Sequence, residues 1–217
     1  MPTLGTFSDD PQATWLVAPG LAGDPADRDM TLVRDFWFTD PAGTTWWAPA
    51  GSVVNGASIP APLWSTVGSP YTGPYRRASI VHDVACDHAR TAPDTRAARA
   101  AADHMFYQAC LAGGCSPAQA ELLYAGVRLG AVLDGLPFWN QPLRVALLAT
   151  DRTLPDVPEE SVRTTFRELA AAIQAAQPAT FPQLAALVEA HLQAKVAQPL
   201  PAMAPPARQL RARPALP

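Results

Sequence analysis

With 217 residues, of which 48% are hydrophobic and 16% charged, the chain has a globular composition and is long enough to bury a core. A formal net charge of −3 gives no general reason to expect a nucleic-acid partner, and no apolar run approaches the roughly 20 residues that span a bilayer. Met1 to Gly5 carries neither a basic nor an apolar signal region, and Cys86, Cys110 and Cys115 are an odd set without CxxC spacing. The expectation is therefore a cytoplasmic protein, or one exported without a cleaved signal peptide, whose cysteines are reduced and mostly pack.

In chain order, residues 1 to about 30 hold turn signals and one short apolar run, Trp15-Leu16-Val17. Leu32–Thr39 and Thr44–Ala48 then read as strands, joined as a hairpin through Asp40-Pro41-Ala42-Gly43. Pro49 to Pro74 is loop-like, with Gly and Pro every few residues. From Tyr75 the pattern turns helical: Tyr75, Ala78, Ser79, His82, Cys86 and Ala89 recur at spacings of three and four. Asp94 reads as the N-cap of a second helix, Thr95–Ala112, which Gly113-Gly114 ends. Ser116 and Pro117 then open a third, largely buried helix running to about Leu133.

Leu143–Leu148 is a short apolar run, and Leu154–Pro158 a Pro-punctuated linker. Glu159-Glu160 opens a helix ending near Gln177, and Phe181–Val196 is another amphipathic helix. The predicted organisation is a main domain over 1–150, a helical extension over 151–197, and a Pro-rich tail over 198–217 with Arg208, Arg211 and Arg213. The fold class expected is α+β, mainly α: a small hairpin or sheet, then paired antiparallel helices, then a C-terminal helical hairpin.

The residues with the most chemistry are His82 and Asp83, adjacent on one helix, so their side chains diverge by about 100°. If helices 75–90 and 95–112 run antiparallel, His82 comes level with Asp103, whose carboxylate could accept the second ring N–H. His104, its neighbour, points elsewhere and reads as a surface residue. The loop Asn55-Gly56-Ala57-Ser58-Ile59-Pro60 offers an amide oxygen and backbone carbonyls, the oxygen donors that calcium takes. With Asp83 it could form a partial hard-ion shell; taken alone, it is an ordinary structural turn.

These residues, in this order, resemble the phage and bacterial family DUF1353, whose members read P-A-G-F-x-T-D-G-A-S-I-P, then H-D, then A-D-x-x-F. Ala48 to Gly51, Asn55 to Pro60, His82-Asp83, and Ala102-Asp103 with Phe106 take those places, over roughly residues 28 to 140. The same order is more distantly similar to prokaryotic phospholipase A2. That resemblance implies a phospholipase A2-like core and a calcium-assisted ester or lipid hydrolase. His82 would be its base, Asp103 the partner of the His, and Asp83, Asn55 and the Gly56 carbonyl the calcium ligands. The chain departs from the pattern at Asn55, which stands where an Asp is usual, and in lacking the aromatic residue and the disulfides of those families.

Other readings differ in class. A zinc protease motif is absent, and His88, His104 and His191 do not complete a phosphohydrolase set around His82-Asp83. Cys86 shares a helix face with His82 and could be a thiol nucleophile. Phe36, Trp37, Phe38, Trp46 and Trp47 could line an acyl pocket or form core. The main alternative is a non-catalytic accessory or structural protein of a phage or mobile element, binding a protein partner through residues 159–217.

Overall fold

The computed structural model describes residues 4–16, 29–68, 72–135 and 157–196. Six short strands come first: β1 Thr6–Phe7, β2 Ala13–Trp15, β3 Met30–Leu32, β4 Phe36–Thr39, β5 Thr45–Ala48 and β6 Val53–Val54. The described helices are α1 Trp64–Val67, α2 Arg76–Arg90, α3 Thr95–Ala112, α4 Pro117–Gly135, α5 Val157–Ala176 and α6 Phe181–Val196. The fold is α+β and mainly helical.

The strands form two three-stranded antiparallel sheets, ordered β1-β4-β5 and β2-β3-β6. The expected hairpin is β4–β5, with Phe36 opposite Ala48 and Phe38 opposite Trp46. Alternation puts Phe36, Phe38 and Ala48 into the core and leaves Trp37 and Trp47 on the outer face, their rings stacked at 4.6 Å. The five aromatics thus divide between core and surface and do not line one pocket. Asp40 shapes the turn by accepting N–H bonds from Ala42 and Thr44, each 2.9 Å, and one from the Trp46 indole at 3.0 Å.

Leu32–Thr39 is not one strand, as its apolar run suggested. It breaks at Val33-Arg34-Asp35, and Leu32 and Phe36 point into the core from different sheets. Pro49–Pro74 likewise holds more than loop: β6, a 3-10 turn at Ala61–Leu63, and α1. Strands of two or three residues carry too little periodicity to show in sequence.

The helices begin where side chains satisfy their free N–H groups. Asp94 accepts from the Ala97 amide at 2.9 Å and Ser116 from the Gln119 amide at 3.2 Å. α2 packs on α3 and α3 on α4, while both sheets lie against α2. The α5–α6 hairpin packs on α4, and Phe166, Leu169, Leu184 and Leu192 join the same core cluster as Phe36 and Phe106. Among the described residues, no helix is long and apolar enough to cross a membrane. The expected Leu143–Leu148 run and the 198–217 tail lie outside the described residues, as does most of the Leu154–Pro158 linker.

Between α2 and α4 runs the segment Asn55–Pro60. Its approach to α4 needs glycine: a Cβ on Gly130 would stand 2.2 Å from the Ser58 carbonyl oxygen, whereas one on Gly126 would meet Ile59 side-chain carbons at 3.4 Å. Helix propensity favours alanine over glycine at both positions by up to about 1 kcal/mol. Gly130→Ala should nevertheless destabilise by about 1–3 kcal/mol, because a backbone carbonyl must move. Gly126→Ala should be neutral or stabilising, and urea midpoints of the two variants check the opposite signs.

Candidate functional site

His82 lies at the centre of α2 on the face buried against α3, and it is fully buried. Running α3 back along α2 through the short Thr91–Asp94 turn brings Asp103 level with it, and His82 Nε2 lies 2.8 Å from Asp103 Oδ1. The His82 ring also rests on Phe106, centroids 4.7 Å apart. Cys86, one turn further along α2, places its Sγ 3.4 Å from Nε2 and 3.8 Å from Nδ1.

Asp103 is fully buried too, and it has more partners than His82. Arg99 Nε donates to Oδ1 at 3.1 Å, and Arg128 Nη1, from α4, donates to Oδ2 at 2.8 Å. The other nitrogen of Arg128 donates to Glu189 Oε2 of α6 at 2.9 Å. Glu189 also receives Arg96 at 3.2 Å and Gln193 at 3.0 Å. One chain of charge-assisted bonds therefore runs from α2 through α3 and α4 to α6.

The ionisation of this chain follows from its contacts. Burial alone would raise the Asp103 carboxyl, but the His82 hydrogen bond and charge, with Arg99 and Arg128, hold it below the usual range. Burial alone would lower His82; Cys86 and the hydrogen bond to Asp103 overcome it and push His82 up to about 9. At neutral pH the imidazole is thus a protonated donor.

Asp83 turns away from this cluster toward the loop. Its Oδ2 accepts the Asn55 N–H at 2.6 Å, and the Gly56 N–H also donates to it. Burial pushes this carboxyl up to about 6, against the pull of the two amides and of His82. Gly56 takes φ +103, and the Asn55 side chain is exposed. The residues expected to hold calcium are therefore neighbours, but the loop meets the carboxylate with N–H donors. A hard cation needs oxygen there, and this donor set does not fit one.

The one cluster of three potential ligands among the described residues is His82, Cys86 and Asp103, with ligand atoms within 4.8 Å of one another. Two guanidinium groups already bind that Asp103 carboxylate, and their charge opposes a divalent ion at the same oxygens. His104 is not the surface residue that its sequence position suggested: it is half-buried, stacked on Phe181 at 3.8 Å, with burial lowering its pKa. The incoming α6 covers it.

Arg99, Arg128 and Glu189 went unnoticed in the sequence. Arg99 stands four residues before Asp103, a helical ion-pair spacing, and Arg128 is the one charge between Leu122 and Leu133. Nothing in the sequence points to Glu189, whose partner is 61 residues away.

Residues 30–127 match the family model described as a protein of unknown function (DUF1353). The uncharacterized protein y4jT of Sinorhizobium fredii is 38% identical over 125 residues, which cover 57% of this chain and 33% of that protein. The uncharacterized protein y4iH of the same organism is 36% identical over 110 residues, covering 50% and 43%. The chain spans between a third and a half of the length of these curated relatives. No solved structure matches it.

Removing the Asp103 charge takes an acceptor from the buried His82 and from Arg99 and Arg128 at once. Asp103→Ala should cost about 3–5 kcal/mol in urea denaturation. A histidine whose pKa rises from 6.5 to about 9 on folding contributes stability that is complete below pH 6.5 and lost as pH climbs through 9. The melting temperature of the wild type should fall across that window, and His82→Gln, whatever its own stability, should lose that part of the slope.

Proposed function

We propose that this chain is a non-catalytic accessory or structural protein, in which the His-Asp motif and the Asn55–Pro60 loop serve as the internal frame of a rigid binding module. The observation that carries this reading is that both carboxylates are already engaged by donors of the protein itself. Asp103 accepts from His82, Arg99 and Arg128, and Asp83 accepts the amides of Asn55 and Gly56. A general base needs a free lone pair within reach of the proton it takes. Here the imidazole is fully buried and protonated at neutral pH.

The relatives support a module as well, since the matching segment occupies a minor part of two longer proteins. A module of this kind acts by presenting surface to a protein partner. Its outer face carries the stacked Trp37 and Trp47, with Trp47 46% exposed, and aromatic side chains of this kind are enriched where proteins meet partners.

One observation favours the second reading, a phospholipase A2-like hydrolase of esters or lipids. With Nε2 committed to Asp103, Nδ1 is left as the nitrogen that could take a proton from water, and Asp83 lies one residue away. In that reading His82 is the base, Asp103 positions it, and Asp83 with the Asn55–Gly56 loop would have to reorganise to hold calcium.

The two readings part on a direct assay. The purified 217-residue chain, given phospholipid vesicles and a short-chain ester with and without calcium, should hydrolyse neither above the level of His82→Gln. Calcium-dependent hydrolysis by the wild type, lost in a His82→Gln protein of native circular dichroism, would overturn the proposal. Asp83→Asn probes the frame itself: it keeps an oxygen acceptor for the loop amides and removes a charge that burial disfavours above pH 6. It should leave the urea midpoint at pH 7.5 unchanged or higher.

A further inference from the structure

The two cysteines outside the His82 cluster meet at the end of α3. The Cys115 N–H donates to the Cys110 carbonyl at 3.0 Å and the Gly114 N–H to the Leu111 carbonyl at 3.1 Å. Gly114 has φ +100, the left-handed conformation that such a helix end requires. These are the nested bonds of a Schellman motif, in which the side chains three residues inside the helix and two beyond its cap come into contact. In most proteins that contact joins two hydrocarbon side chains. Here both are thiols, free and buried, and they share a hydrogen bond.

We propose that Cys110 and Cys115 are an oxidisable dithiol that closes to an intramolecular disulfide under a hydroperoxide. The turn is already folded and the two thiols already in hydrogen-bond contact, so the loop to be closed is short. The two thiols are not equivalent. Cys110 is inside the helix, and burial pushes its thiol well up. Cys115 lies at the edge, between exposed Gly114 and Ser116, and the hydrogen bond from Cys110 lowers it.

Cys115 is therefore the attacking thiol and Cys110 the resolving one. The Cys115 thiolate attacks the O–O bond of the peroxide, forming a sulfenic acid and releasing water or an alcohol. The Cys110 thiol then attacks the sulfenic sulfur, the S–S bond forms, and a second water leaves with the Cys110 proton. Two thiols lose two electrons to one peroxide. The disulfide would fasten the last turn of α3 to the segment that opens α4, beside Pro74 and the start of α2. Cys86 takes no part, because its sulfur lies against the His82 ring.

Tryptic mapping tests this directly, since cleavage at arginine places Cys110 and Cys115 on the single peptide 100–128 and Cys86 on the peptide 78–90. The native full chain is treated with hydrogen peroxide, denatured, alkylated with N-ethylmaleimide and digested. Peptide 100–128 should lose two hydrogen masses and both maleimide adducts, and a thiol reductant applied before alkylation should restore them. Peptide 78–90 should stay alkylated. Cys110→Ser should instead leave a sulfenic acid on Cys115 that dimedone traps. Two intact maleimide adducts on peptide 100–128 at a peroxide dose that oxidises its Met105 would overturn the proposal. So would a disulfide that includes Cys86, or a sulfinic acid on Cys115 of the wild type. The wild-type map decides the matter even if the Ser variant does not fold.

Discussion

A carboxylate in the protein interior loses its water and must find donors, and Asp103 imposes that requirement on four helices at once. Desolvation would cost several kcal/mol if the charge were left alone. His82 on α2, Arg99 on α3 beside Asp103 itself, and Arg128 on α4 supply the donors, and they must all converge on two oxygens. Arg128 then needs an acceptor for its far nitrogen and finds Glu189 on α6. The hairpin that lies beyond the family-matched segment is thereby tied to the same charge as the helix pair within it. Apolar burial by Phe166, Leu169 and Leu184 supplies most of the attraction. The ionic chain sets the register in which that burial occurs.

The loop that the motif contributes is positioned by the same kind of constraint. Asp83 turns outward from the helix that carries His82 and takes the amides of Asn55 and Gly56. On the far side, Gly130 lets the Ser58 carbonyl come against α4. A carboxylate on α2, a Gly56 in the left-handed region and a glycine on α4 are three features of one packed layer, though they span residues 55 to 130. The exposed Asn55 contributes its backbone amide there.

Much of the helical part was legible because it is written in local chemistry. Asp94 and Ser116 cap helices where their side chains accept a nearby amide, and both helix starts follow from the sequence. The meeting of His82 with Asp103 also follows, from two helices joined by a short turn. What did not show depends on distance along the chain or on short strands. Leu32 and Phe36 read as one strand because their alternation is continuous, yet a bend at Val33–Asp35 sends them to different sheets. His104 read as surface because nothing near it in sequence covers it; Phe181 does, from α6. The Asn55 loop lies beside Asp83, as the sequence suggests, and its direction is the part that the sequence does not show. Composition shows that a loop has oxygens, and only the backbone shows that it turns its N–H groups to Asp83.

The pairing of His82 with Asp103 illustrates why a dyad does not define a mechanism by itself. An aspartate that orients a catalytic histidine must offer most of its charge to the imidazolium that forms when the base takes a proton. Asp103 divides that charge among three donors, two of them permanent cations. The other requirement is a place for water beside Nδ1. Cys86 Sγ packs 3.8 Å from that nitrogen, and Phe106 covers the ring at 4.7 Å between centroids. The imidazole is held as one link in a buried hydrogen-bonded chain, with its remaining surface in van der Waals contact. The buried His82–Asp103 bond joins α2 to α3, so the geometry that suggests chemistry in the sequence also contributes to holding the fold together.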